Sequence, residues 1–197
     1  MFALAKPIAF TAFQIAWSYL WATVHLKIRK DQSYALGREL THTNIRYKII
    51  SFFLFASQAG LSIATFWSNS ELLLKIHDSD HIRYLGVILT IAATALYLKS
   101  LKNLGRNYSP CYDSYAPYEL VRNGPYKWIR HPMYLAKLLL MIATFILSGS
   151  FWFVPQFIYL VLDMAKAIRI EESYLSTSFP GYINYQRTTK MLLPYIL

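Results

Sequence analysis

"MYLAKLLLMIATFILSGSFWFVPQFIYLVLDMA", residues 133–165, carries only two charges, Lys137 and Asp163. It is too long for one membrane crossing, which takes roughly 20 apolar residues. Ser148-Gly149-Ser150 breaks it with three turn-forming residues. The stretch therefore reads as two antiparallel helices of about 17 residues, the low end for spanning. Upstream, Ile8–Leu26, Ile49–Trp67 and Ile82–Leu98 read as three further spans. The expected fold is all-α: an integral membrane protein with five transmembrane helices, the last two a tight helical hairpin. The whole chain, 1–197, is expected to form a single membrane domain. Residues 1–98 would supply three N-terminal spans, and 99–197 a core of polar loop, hairpin and C-terminal segment. Composition agrees, with 55% hydrophobic and 15% charged residues, more apolar than a soluble domain of this size. Ile8–Leu26 has too long an apolar core for a signal peptide and no small-residue cleavage site after it.

The net charge of +10 is unevenly spread. Lys27, Arg29, Lys30, Arg38, Arg46 and Lys48 lie between the first two spans. Lys99, Lys102, Arg106, Arg122, Lys127 and Arg130 lie between the third and fourth. The segment 68–81 has only Lys75, and the turn at 148–150 has none. This asymmetry places the N-terminus outside and the C-terminus in the cytosol. Such basic loops suit anionic membrane lipids as partners, and their distribution argues against nucleic acid. The membrane would be the plasma membrane in a prokaryote and the endoplasmic reticulum in a eukaryote.

Working back from the hairpin, "RNGPYKWIRHP" (122–132) interrupts the apolar pattern. Asn123-Gly124-Pro125 is a turn signal, and Pro132 suits the first turn of a helix. Arg130 and His131 then stand at that helix's N-terminal mouth, where free N–H groups favour an anion. Residues equidistant from the turn should lie at similar depth. Lys137 falls beside Asp163, two opposite charges expected to pair within the membrane. His131 falls level with about residue 168, which brings Arg169, Glu171 and Glu172 back to the mouth. Carboxylates, basic groups and the rings of Tyr126, Trp128 and Tyr134 together suit a zwitterionic ligand with a flat heterocycle. S-adenosyl-L-methionine has these parts, and other ligands share them.

Here the pattern becomes specific. Gly124-Pro125-Tyr126, then Arg130-His131-Pro132-Met133-Tyr134, then Glu171-Glu172 resembles the membrane methyltransferases of the isoprenylcysteine carboxyl methyltransferase family. Phospholipid N-methyltransferases share it. The likeness runs through "YELVRNGPYKWIRHPMYLA" (118–136) and "EESYLSTSFPGYINYQRTTKMLLP" (171–194), so it covers about residues 98–194. It implies a cytosolic-side pocket for S-adenosyl-L-methionine, closed by the polar loop and the C-terminal segment. Tyr118, Glu119, Leu120 and Val121 would line its adenosine part, with backbone contacts favoured because Tyr and Glu depart from the family's first two positions. Tyr126, His131, Pro132, Met133 and Tyr134 would form the cofactor turn, and Glu171 would take the methionine ammonium. Prenylcysteine enzymes of the family carry an arginine four residues before the glutamate pair; here that residue is Ala167. The resemblance therefore carries the cofactor half further than the prenylcysteine half. Arg169, close to that position, and Glu172, as a base for an amine acceptor, are the candidate catalytic residues. The implied activity is methyl transfer to a carboxylate or amine of a lipidic or amphiphilic small molecule.

Two other readings stay open: an NADPH-dependent sterol-type reductase, and a non-catalytic scaffold or small transporter. Seven glycines without G-x-G-x-x-G exclude the soluble dinucleotide fingerprint. His77-Asp78-Ser79-Asp80-His81 has helical ligand spacing but reads as a solvated outer loop, so no metal is expected. A lone Cys111 cannot form an internal disulfide. The sequon Asn107-Tyr108-Ser109 would face the cytosol and stay unglycosylated.

Overall fold

The computed structural model describes residues 79–108 and 117–193, with a few isolated positions before them. The first two expected spans, His77, Asp78, Ser109, Cys111 and the final 194–197 lie outside the described residues. Four helices make up the described part: α1 (Asp80–Leu104), α2 (Pro132–Ser148), α3 (Phe153–Ser178) and α4 (Tyr182–Thr188). Short 3-10 turns occupy Gly105–Asn107 and Gly124–Lys127.

α1 continues into the first 3-10 turn, and Asp80–Asn107 is long and apolar enough to cross a membrane. Among the described residues no other helix passes that test; Pro132–Ser148 is apolar but shorter. One face of α1 is buried, with Arg83 at its start, and large aliphatics dominate the other. Gly86, Thr90, Ala93, Tyr97 and Ser100 are buried, while Tyr84, Leu85, Ile88 and Ile91 point outward. Large aliphatics outside and small residues inside invert the soluble pattern, because lipid offers no penalty to leucine and small residues let backbones approach. The buried hydroxyls bond back along their own helices. Thr90 Oγ1 donates to Gly86 O at 2.8 Å, Ser100 Oγ to Leu96 O at 2.6 Å, and Thr144 Oγ1 to Leu140 O at 2.9 Å.

α2 starts with Pro132 at its first position and stops at Gly149, whose φ of 63° is the left-handed conformation that glycine adopts without strain. Gly149 and Ser150 also dock the segment before α1: Ile76 N–H donates to Gly149 O at 2.6 Å, and Lys75 pairs with Ser150. The start of α1 and the end of α2 thus share one end of the fold. The expected break at 148–150 is where the hairpin turns, and residues 149–152 link α2 to α3.

The two arms are less tightly packed than the sequence suggested. α2 lies mainly along α1, and α3 touches it more sparingly. The reason is steric. A Cβ at Gly86 would come within 2.8 Å of the Leu147 side chain and 3.2 Å of Ala143 O, so only glycine admits this approach. Ala136, Ala143 and Thr144 are buried on α2. α3 runs past the apolar stretch, and its last turns project beyond the start of α2, where the polar residues gather. Lys137, expected beside Asp163, turns its ammonium 5.3 Å over the Tyr134 ring, one turn toward that polar end.

Candidate functional site

The polar end is framed by the C-terminal strap. Arg130 N–H donates to Lys190 O at 2.8 Å and His131 N–H to Met191 O at 3.0 Å, beside a parallel pairing of Ile129 with Lys190. α4 is held from the other side. Arg122 Nη2 donates to Gly181 O at 2.9 Å with its guanidinium 5.6 Å over the Tyr185 ring, and Tyr185 Oη donates to Tyr126 O. The 3-10 turn at Gly124–Lys127 and α4 are therefore one unit, although 59 residues separate Tyr126 and Tyr185 in the chain.

Inside this frame Glu172 is a hub. Its Oε1 accepts from Arg130 Nε at 2.8 Å and lies 3.0 Å from His131 Nε2; its Oε2 accepts from Gln186 Nε2 at 2.9 Å. Arg130 Nη1 also donates to Gln186 O at 3.1 Å and to Thr189 O. Burial pushes the Glu172 carboxyl up, but hydrogen bonds from His131 and Arg130, and their charges, outweigh it and hold it at about 2. His131 spans both acids, with Nδ1 3.9 Å from Glu171 Oε2.

Above the hub lies a cavity of about 120 Å³, several times what a single water needs. Faces of α2, α3 and α4, the end of α1 and the segments between α1 and α2 line it. α2 gives Met133, Tyr134 and Lys137; α3 gives Glu171, Tyr174 and Leu175. These are i, i+3 or i+4 neighbours, so each set is one stripe of its helix. α4 adds Tyr182 and Tyr185, and the loop adds Glu119, Leu120 and Val121. The Tyr182 side chain is buried, and its hydroxyl has no hydrogen-bond partner among the described residues, though the Glu172 carboxylate is close by. Burial and the Glu172 charge keep that phenol protonated well above its ordinary range, against the opposing pull of Arg130. Burial followed by the Glu171 charge does the same for Tyr126. Tyr185 is pushed up to about 12 by burial, with Arg130 and Arg122 pulling it down. At neutral pH these three phenols are donors.

Of the expected site residues, Glu119, Leu120, Val121, Tyr126, His131, Met133, Tyr134 and Glu171 all line the cavity. Four do not. Arg169 is exposed and outside the lining, because two residues along a helix rotate a side chain by roughly 200°, away from the Glu171 stripe. Glu172 lies beside the cavity, not in its wall, and a carboxyl held at about 2 by its bonds with His131 and Arg130 is a poor base. Pro132 is fully buried at the helix start and not in the wall. Tyr118 points its side chain to solvent, and its N–H is taken by Asn107 Oδ1 at 2.8 Å, which also takes Glu119 N–H at 3.1 Å. Of the four loop amides, Asn107 thus takes two, and those of Leu120 and Val121 have no partner among the described residues.

Other wall residues were not singled out as ligand contacts. Asn107, Tyr182 and Tyr185 carry no composition or spacing signal of ligand contact. Lys137 is expected to pair with Asp163, and Arg130 is expected at the mouth among the groups suited to a zwitterionic ligand. The i+3 and i+4 steps from Glu171 would have found Tyr174 and Leu175.

Residues 82–181 match the phospholipid methyltransferase family. A search of characterised proteins by sequence gave no match. Among solved structures, the fold is similar to that of the eukaryotic intramembrane Ras methyltransferase ICMT, an isoprenylcysteine carboxyl methyltransferase. The TM-score is 0.56 at 23% identity, over 80% of this chain and 55% of that one. This chain thus spans about half the length of that enzyme, and the likeness speaks to the fold. The family match encloses the loop, the Arg130-His131-Pro132 mouth and the Glu171-Glu172 pair, while Tyr182 and Tyr185 of the wall and Gln186 of the hub lie just beyond it. The chain belongs to the phospholipid methyltransferase family.

Proposed function

We propose that this chain transfers the methyl group of S-adenosyl-L-methionine to a lipidic or amphiphilic acceptor, in the cavity between the polar ends of α2 and α3. The observation that carries the reading is the Glu171 carboxylate, in the wall beside His131 and the buried Tyr182 hydroxyl. An acid, a buried donor and aromatic rings around one cavity fit an amino-acid head attached to a flat heterocycle. Glu171 would hold the ammonium, and the Tyr182 hydroxyl and the first-turn amides of Met133 and Tyr134 the carboxylate. Leu120 and Val121 would hold the adenosine through backbone groups. When bound, the sulfonium supplies an activated methyl group.

The protein's contribution is alignment and exclusion of water. An acceptor lone pair forms the bond to the methyl carbon as the carbon–sulfur bond breaks, its electron pair remaining on sulfur. A carboxylate acceptor releases no proton. An amine acceptor has to enter neutral or find a base, and the wall's phenols and the strongly acidic Glu172 serve poorly in that role. The basic loops support a cavity on the cytosolic face, with the N-terminus outside, within a five-span chain.

The test is calorimetric or thermal-shift titration in nonionic detergent with S-adenosylmethionine, S-adenosylhomocysteine and NADPH. Stabilisation by both adenosyl compounds and not by NADPH is expected. No response to either adenosyl compound refutes the proposal, and a response to NADPH alone favours a reductase.

A further inference from the structure

We infer that Arg122 is a positioning residue: it latches α4 onto the cavity and so sets how long the methyl donor and its demethylated product stay. This rests on the methyl-transfer reading above and adds to it the residue that governs release. Arg122 stands between two parts of the wall, directly after Leu120 and Val121 and shortly before Tyr126. Its side chain crosses to α4, which carries the wall residues Tyr182 and Tyr185. Nη2 donates to Gly181 O at 2.9 Å, and the guanidinium lies 5.6 Å over the Tyr185 ring. Tyr185 Oη returns a bond to Tyr126 O. Loop and helix are therefore tied by bonds that run in opposite directions.

α4 runs only from Tyr182 to Thr188, too short to hold its place by its own helical bonds. It touches α3 sparingly, so side chains reaching it from elsewhere fix its position. The hub holds its far end, where Arg130 donates to the carbonyls of Gln186 and Thr189 and Gln186 donates to Glu172. Arg122 holds the near end at Gly181, next to Tyr182. The two ends differ in kind. Arg130 is committed to a carboxylate as well as to carbonyls. Arg122 is exposed, and among the described residues its partners are a carbonyl and a ring, both neutral. Such contacts are modest in net strength, so the near end can open while the hub stays closed. Gly181 gives an independent view of the same contact. The three heavy atoms nearest to a Cβ built there all belong to the Arg122 guanidinium. Its φ of −81° and ψ of −4° are open to any residue, so the space at 181 serves Arg122 and not the backbone.

Two substitutions break the contact from opposite sides. Arg122→Met keeps the stem and removes the donor and the charge. Gly181→Ala keeps Arg122 and puts a methyl group where its guanidinium lies. Dissociation of S-adenosylhomocysteine is followed by surface plasmon resonance in nonionic detergent. Exchange of the α4 amides is followed by hydrogen–deuterium mass spectrometry without ligand. Each variant should release the ligand about tenfold faster, the scale of one hydrogen bond with one exposed cation–π contact. Each should also speed exchange at residues 182–188. The double variant should be no faster than either single one, because both act through one contact. Arg122→Lys, whose ammonium still donates and faces the ring, should restore most of the residence time. Lys127→Met, which removes an exposed charge from the same turn, should leave both readouts unchanged. Unchanged release in Arg122→Met or in Gly181→Ala overturns the inference, and so do effects that multiply in the double variant. Failure of the unmodified protein to bind S-adenosylhomocysteine strikes the methyl-donor reading, and exchange in α4 then decides the latch. Faster exchange in both single variants supports it, and unchanged exchange refutes it.

Discussion

Glu172→Gln removes one charge from the hub while keeping the side chain's shape. The carboxylate now accepts from Arg130 and His131 on one oxygen and from Gln186 on the other. A glutamine amide has one oxygen, so its NH2 must face either Arg130 or the Gln186 amide, both of which are donors. In the intact protein burial raises this carboxyl, and the bonds and charges of His131 and Arg130 more than reverse that, to about 2 from an ordinary 4.5. Taken at full weight the gap is worth roughly 3 kcal/mol. Solvent reaching the cluster screens it, and about 1.5 kcal/mol is a fairer figure. The sign follows from the direction. A carboxyl depressed in the folded state stabilises fully above about pH 4.5, and the contribution fades as pH falls toward 2. At pH 7 the variant should unfold about 3–6 °C lower, the scale for a chain of this size. Followed by intrinsic fluorescence in nonionic detergent from pH 7 to pH 3, the two melting curves should draw together as acid is added. An unchanged Tm at pH 7, or a gap that stays constant down to pH 3, would refute the account of Glu172 as a charge-locked brace.

Glu171→Gln should weaken S-adenosylhomocysteine at least tenfold by titration calorimetry, whereas Arg169→Gln, on the opposite face of α3, should leave it within twofold. Gly86→Val forces a side chain against Leu147 and the Ala143 carbonyl, and should cost about 1–3 kcal/mol of stability in a thermal melt. Asn107→Ala frees two loop amides, each bond being worth about 1 kcal/mol. It should weaken the same ligand about tenfold, and Asn107→Asp, which keeps the acceptor, should restore most of it.

What the sequence made legible follows from periods and punctuation. Ser148-Gly149-Ser150 marked the turn because glycine at φ 63° ends α2 there. Counting outward from it brought Glu171 and Glu172 to Arg130 and His131, since depth along two antiparallel helices depends only on rise per residue. Pro132 marked the helix start for an equally local reason. The close approach of α1 and α2 was hidden, because it depends on Gly86 meeting Leu147 from another helix. Asn107 was hidden likewise: its two bonds reach eleven and twelve residues ahead, into a loop without periodicity. The same holds for the strap at Lys190 and Met191, whose partners lie far back in the chain.

Depth, however, says nothing about rotation, and rotation decides what each member of the acidic pair does. Glu171 and Glu172 are neighbours in sequence and roughly 100° apart around α3. One turns into the cavity; the other turns to Arg130, His131 and Gln186. The direction that brings Glu172 to Arg130 and His131 also lowers its affinity for a proton. The same rotation places His131 between the acids, its Nε2 at the brace and its Nδ1 toward the cavity acid. A ligand cation taken by Glu171 is then coupled to the hub through one imidazole. Binding in the cavity should accordingly stiffen the C-terminal strap that Arg130 and His131 hold, and hydrogen exchange at residues 186–191 should slow when S-adenosylhomocysteine is added. Exchange there that ignores the ligand would mean that the brace and the cavity act independently.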